Sequence, residues 1–310
     1  MKLLSLGAGA IGGYYGGKLA AAGVDVTFLV RPRRAEQLAR DGLVIETTAE
    51  RSTVLVKTVS ADRVRPEYDA VLLTAKAYDL ASAIDAIRPA MAAEARVLPL
   101  LNGMKHLDEL DAAFGREKVL GGTSHVSTTL AEDGAIKIFT PFAVITQGPR
   151  EASQKPFSEA LHTELSRGAF EARASDDIIG VMWEKWVFLA TLAGATCLMR
   201  GNIAEIVAAG GAAMTGAMFE ECCAVAAASG RPISAAVAST SRGSLTNRDF
   251  RIAASMLRDI ERGAPTEAAH IVGDLIARGA AHGVPTPNLA LAYAHLQVYE
   301  ARLDAARKPG

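Results

Sequence analysis

Cysteine is scarce in this chain. Only Cys197, Cys222 and Cys223 occur, two of them adjacent, so neither a disulfide framework nor a Cys-x-x-Cys redox or zinc centre can be built. The six histidines are scattered, without the close His/Cys spacing of a metal site, and no metal is expected. Positive charge is not in surplus either: 33 Lys and Arg face 34 Asp and Glu, a net charge of -1. That balance argues against nucleic acid and against a membrane surface as partner. The uncharged stretch Trp186–Met199 falls short of the roughly 20 residues that cross a bilayer, and Glu184 and Lys185 stand just before it. It reads as a buried core helix. The N-terminal apolar stretch is broken by glycines and lacks a cleavage site, so it reads as a strand and the protein is expected in the cytoplasm. Repeats and low-complexity segments are absent as well.

What remains is a chain of 310 residues, half of them hydrophobic and only 5% aromatic. This is enough for two cores. Leu3–Leu6, Val26–Val30, Val71–Leu73 and Val97–Leu101 are short Leu- and Val-rich runs, the pattern of strands buried on both faces of a parallel sheet. Helix-like segments at Gly12–Ala22, Arg34–Arg40 and Leu80–Ala93 alternate with them, giving an α/β, doubly wound rhythm. Strands are expected at Val119–Leu130, Ile136–Thr140 and Ala143–Thr146, with turns at Asp133-Gly134 and Thr140-Pro141, as an added antiparallel section. A helix over Phe157–Ser166 and a strand over Phe170–Ala174 follow. Beyond Asp176 the chain reads as helices separated by glycine and proline breakers. The expected domains are therefore a Rossmann dinucleotide-binding domain over 1–175 and an all-α domain over 176–310. Its alanine-rich stretch Ala208–Ala228 could supply a homodimer interface or internal core.

Chemistry is concentrated at a few points. Gly7-Ala8-Gly9-Ala10-Ile11-Gly12 follows the first strand directly and opens the first helix. The first glycine permits the turn, the second lets a pyrophosphate approach the backbone, the third packs helix on strand, and the helix N-terminus favours negative charge. After the second strand, where an NAD enzyme carries an acid, stands Arg31 within Val30-Arg31-Pro32-Arg33-Arg34. A guanidinium there suits a 2′-phosphate and so NADP; the alternative is a solvated basic turn. Thr74-Ala75-Lys76 and Asn102-Gly103-Met104 follow later strands, where doubly wound folds bind ligands, although Asn-Gly is also a common turn. Lys185 sits at the edge of an apolar helix, either paired with an acid at the surface or buried with a lowered pKa that suits proton donation. Ser255 and Asp259 share a helix face, and Glu267 opens the next helix, a position acids also favour for dipole reasons.

Together, in this order and spacing, the pieces resemble the ketopantoate reductase (2-dehydropantoate 2-reductase) family. They are the glycine fingerprint, Arg31, Lys76-Ala77, Leu101-Asn102-Gly103-Met104, Trp183-Glu184-Lys185, Ser255-Met256-Leu257-Arg258-Asp259 and Thr266-Glu267. The resemblance implies a Rossmann domain, an all-helical domain, and an active site in the cleft between them. There NADPH would deliver hydride to a 2-keto acid. It further implies Lys185 as general acid, Asn102 on the nicotinamide ribose and orienting the lysine, and Lys76, Ser127 and Glu267 on the cofactor. Ser255 would meet the substrate carboxylate end. One departure stands out: the family's asparagines four and eight residues after the lysine are replaced by Leu189 and Ala193. Losing such partners costs a polar, hydroxylated substrate roughly 1–3 kcal/mol each. Ketopantoate is the first expected substrate, in pantothenate biosynthesis. The alternatives are a more apolar 2-keto acid and a non-catalytic NADP(H)-sensing role.

Overall fold

The computed structural model describes residues 1–47, 50–140 and 142–307. They form two compact units, Met1–Leu101 with His106–Ile179, and Gly180 onward together with the short segment Asn102–Lys105. The change of unit therefore falls slightly later than residue 175. The reason is Ile178: a Cβ on Gly121 would stand 2.8 Å from its Cγ1, and one on Gly148 3.0 Å from its Cβ. The first turn of the long helix is thus packed into the first unit's core.

The first unit begins with β1 (Lys2–Leu6), α1 (Ala10–Ala21), β2 (Asp25–Leu29), α2 (Pro32–Asp41), β3 (Leu43–Glu46), β4 (Arg51–Val54), β5 (Lys57–Val59) and β6 (Tyr68–Leu73). It continues with α3 (Leu80–Ile87), β7 (Met91–Pro99), α4 (Lys105–Phe114), β8 (Gly121–His125), β9 (Thr128–Leu130), β10 (Ile136–Ile138), β11 (Val144–Gly148), α5 (Lys155–Leu165) and β12 (Glu171–Ala174). The main sheet, ordered β5-β2-β1-β6-β7, is wholly parallel. Its central residues Leu3, Leu4, Phe28 and Ala70–Leu73 are fully buried, as a parallel sheet covered on both faces requires. This is the Rossmann-like arrangement expected.

Several details differ from expectation. The helix foreseen to Ala93 stops at Ile87: Pro89 lies in a 3₁₀ turn over Arg88–Ala90, and the chain re-enters the sheet at Met91, which pairs with Tyr68. The foreseen strand Val119–Leu130 is broken between His125 and Thr128 and feeds two small sheets. These are β4-β3-β10-β9, with one parallel and two antiparallel pairs, and β12-β11-β8, with one of each, so the section is mixed rather than purely antiparallel. Pro141, half of the expected second turn, lies outside the described residues. The glycines of α1 let two sheets close on it. A side chain at Gly16 would strike Phe28 of the main sheet, and ones at Gly13 and Gly17 would strike Ile136 and Leu43 of the second.

The second unit contains most of α6 (Ile178–Met199), then α7 (Ile203–Ala208), α8 (Ala212–Ala228), α9 (Ala235–Leu245), α10 (Ser255–Glu261), α11 (Asp274–Ala281) and α12 (Pro287–Arg307). No strand occurs among its described residues. At 22 residues, α6 is longer than the uncharged stretch suggested, and by length and composition alone it could cross a bilayer. In this structure 61% of its most apolar window is buried, and Lys185 lies within it, consistent with a core helix. One face of α8, with Met218, Phe219, Cys222 and Val225, is internal core. The Glu221 carboxylate accepts hydrogen bonds from the backbone N–H groups of Asn288 and Leu289, capping the start of α12.

Candidate active site

Each unit carries its own cluster of candidate groups. In the first, β1 ends at Leu6 and Gly7 turns the chain with φ +82°, its N–H donating to the Leu29 carbonyl at 2.8 Å. Gly9 precedes α1, and a Cβ there would meet nothing, so the backbone is bare to an approaching group. Gly12 is the opposite case. A Cβ would collide with the Thr74 hydroxyl and stand 2.9 Å from the Gly7 carbonyl. Ala8, Ala10 and Ile11 complete this loop and first turn, which contains no acid to neutralise the helix dipole. An open loop, a tightly seated helix and an uncompensated N-terminus fit a dinucleotide pyrophosphate.

Arg31 caps the start of α2, just beyond the carboxyl end of β2. It is exposed, and its guanidinium makes no hydrogen bond or ion pair among the described residues, which fits an anionic ligand such as a 2′-phosphate. Lys76 is half-buried and opens the 3₁₀ turn after β6. Ser127 sits between β8 and β9, where its N–H donates to Thr140 Oγ1; no hydrogen bond connects it to the glycine loop. One contact is not foreseen by spacing: Arg34, on the first turn of α2, donates from Nη2 to the Ala8 carbonyl at 2.9 Å.

The second unit holds the Lys185 cluster. Lys185, on α6, donates from Nζ to Asn102 Oδ1 at 3.1 Å, so two residues far apart in sequence meet. Part of the side chain still reaches solvent, yet burial dominates and brings its pKa down to about 8, with the nearby Glu267 charge pulling the other way. Glu267 is itself buried, just ahead of a π-helical segment, Ala269–Gly273, that runs into α11. Leu189 and Ala193 follow Lys185 at one and two turns, Leu189 partly exposed and Ala193 fully buried. Ser255 opens α10 with a hydroxyl that makes no hydrogen bond among the described residues, and no hydrogen bond ties it to Lys185 among them.

The supports of this cluster were not legible beforehand. The Trp186 indole N–H donates to the Ile271 carbonyl inside the π segment at 2.8 Å. Gly103, at φ +78°, presses so closely on the same segment that a Cβ would stand 2.7 Å from the His270 carbonyl. Glu300 of α12 accepts from both the Thr266 N–H and hydroxyl, at 2.8 and 2.5 Å, fixing the residue before Glu267.

Residues 3–151 match the family model described as ketopantoate reductase PanE/ApbA, and residues 177–300 match the C-terminal model of the same family. The Bacillus subtilis protein named "Uncharacterized oxidoreductase YkpB" is 35% identical over 97% of this chain and 99% of its own length. The crystal structure of a PanE/ApbA family ketopantoate reductase from Ralstonia eutropha superposes with a TM-score of 0.87 at 29% identity, covering 98% of this chain and all of that one. The ternary structure of D-mandelate dehydrogenase with NADH and anilino(oxo)acetate shares the fold, with a TM-score of 0.88 at 23% identity over 98% of this chain and 99% of that one.

Proposed function

This chain belongs to the ketopantoate reductase family of oxidoreductases, and from that premise we propose that it uses NADPH to reduce a 2-keto acid to the 2-hydroxy acid. The observation that carries the reading is the Lys185 amine, buried, bonded to Asn102 and shifted to about 8. A lysine so placed is mostly protonated at neutral pH yet gives up its proton far more readily than a surface lysine. The hydrogen bond to the Asn102 oxygen orients the ammonium, which would deliver its proton to the substrate's keto oxygen. The cofactor, when bound, supplies the hydride. Gly7–Gly12 would receive its pyrophosphate and Arg31 its 2′-phosphate, with Lys76, Ser127, Asn102 and Glu267 as further contacts and Ser255 on the substrate carboxylate. The reading places the enzyme in the cytoplasm, with 2-dehydropantoate as the first substrate to try.

Leu189 favours a second reading of the substrate. It puts a partly exposed hydrocarbon one turn from the proton donor, where a hydroxylated keto acid would want a hydrogen-bond partner. A 2-keto acid with an apolar substituent would lose nothing there. Competing ketopantoate against apolar 2-keto acids, with NADPH consumption as readout, decides between them. A higher kcat/KM for ketopantoate supports the first reading, and a higher value for the apolar acids supports the second. Turnover of neither class, with NADPH still bound, would overturn both in favour of an NADP(H)-sensing protein.

A further inference from the structure

Among the described residues, Arg34 is the cation whose side chain hydrogen-bonds the glycine loop. Its Nη2 donates to the Ala8 carbonyl at 2.9 Å and its Nη1 to Gln37 Oε1 at 2.7 Å, while its Nε is buried without a partner. Gln37 is held in turn by donating to the Asp133 carbonyl. No carboxylate lies within ion-pair distance of Arg34 among the described residues. Asp133, whose carbonyl accepts from Gln37, spends its carboxylate on the Ala135 N–H and on Arg51 at 3.6 Å. The guanidinium is half-buried, and burial pushes its pKa down. A desolvated cation without a counter-ion costs stability in the free protein. Such a cost is met when an anion arrives nearby, and the adjoining turn is the one built to receive phosphate.

We infer that Arg34 is a positioning residue for dinucleotide binding, holding the Ala8–Gly9 peptide and lending its uncompensated charge to the pyrophosphate. In a trans peptide the carbonyl and the following N–H point opposite ways. Anchoring the Ala8 carbonyl to Arg34 therefore fixes the Gly9 N–H on the other side of the loop. This separates Arg34 from Arg31. Arg31 is exposed and would meet what distinguishes NADPH from NADH; Arg34 would serve the part both cofactors share.

The inference rests on the dinucleotide reading, and the test keeps the two apart. Titration of wild-type protein with NADPH and with NADH by nucleotide fluorescence comes first; binding of neither would remove the premise itself. Given binding, Arg34→Met should weaken both dinucleotides by a similar factor of about tenfold or more, the loss of one charge-assisted contact. Arg31→Ala should weaken NADPH selectively. The melting temperature of Arg34→Met without cofactor should equal or exceed wild type, while the increment added by NADPH shrinks. Arg34→Lys, which keeps charge but cannot reach Ala8 and Gln37 together, should fall between. Unchanged affinities would overturn the inference. So would a lower melting temperature with the NADPH increment intact, which marks a structural strut, or a loss confined to NADPH, which marks a 2′-phosphate ligand.

Discussion

In the proposed reaction Lys185 would carry the proton transfer, and its environment sets testable signs. Replacing it with alanine should lower kcat by about a hundredfold or more, the usual worth of a positioned general acid, with NADPH affinity nearly unchanged in a fluorescence titration. If Lys185 is the general acid, reduction needs its protonated amine, so kcat/KM should fall as pH rises through about 8, whereas an ordinary lysine would hold activity to near 10.5. Stability moves the other way. Between about 8 and 10.5 the unfolded chain holds a proton that the folded one has released, so unfolding free energy rises with pH across that window. Lys185→Met should abolish that rise and melt higher than wild type at neutral pH, a stabilisation gained at the expense of function. Calorimetric scans across the window would show both effects.

Among the elements, the π segment Ala269–Gly273 and the Asn102–Lys105 turn depend on each other. Gly103→Ala would force a side chain onto φ +78° and into the His270 carbonyl, so it should cost roughly 1–3 kcal/mol and reduce kcat by displacing Asn102. Thermal melts and kinetics on the one variant would test this. These same elements mark what could be read from sequence and what could not. The glycine loop was legible because each glycine answers a local need: a positive φ at Gly7, bare backbone at Gly9, close packing at Gly12. The parallel strands were legible because burial on both faces leaves unbroken apolar runs such as Leu3–Leu4 and Ala70–Leu73. The β3–β4 hairpin was not, since Arg51-Ser52-Thr53-Val54 carries little apolar signal and forms by pairing with β3. Nor was the π segment, whose backbone is shaped by Trp186 and Gly103, far away in sequence. Lys185 and Asn102 were each visible as candidates; that they share a hydrogen bond became visible only in three dimensions.

At the scale of the whole molecule, the proposed function divides labour between the units: the first would hold the dinucleotide's phosphates and the second would supply the proton. Substitutions should separate accordingly. Arg31→Ala should raise the KM for NADPH and narrow its preference over NADH with kcat largely kept, while Lys185→Ala does the reverse. Leu189→Asn should move the ratio of kcat/KM for ketopantoate over an apolar 2-keto acid upward, by about tenfold for one restored hydrogen bond. The most direct test of the central claim is loss of NADPH absorbance with purified protein and a panel of 2-keto acids that includes ketopantoate. The account predicts rapid oxidation with at least one of them, slower with NADH, and none above background in Lys185→Ala. Tight NADPH binding without oxidation by any 2-keto acid would contradict it.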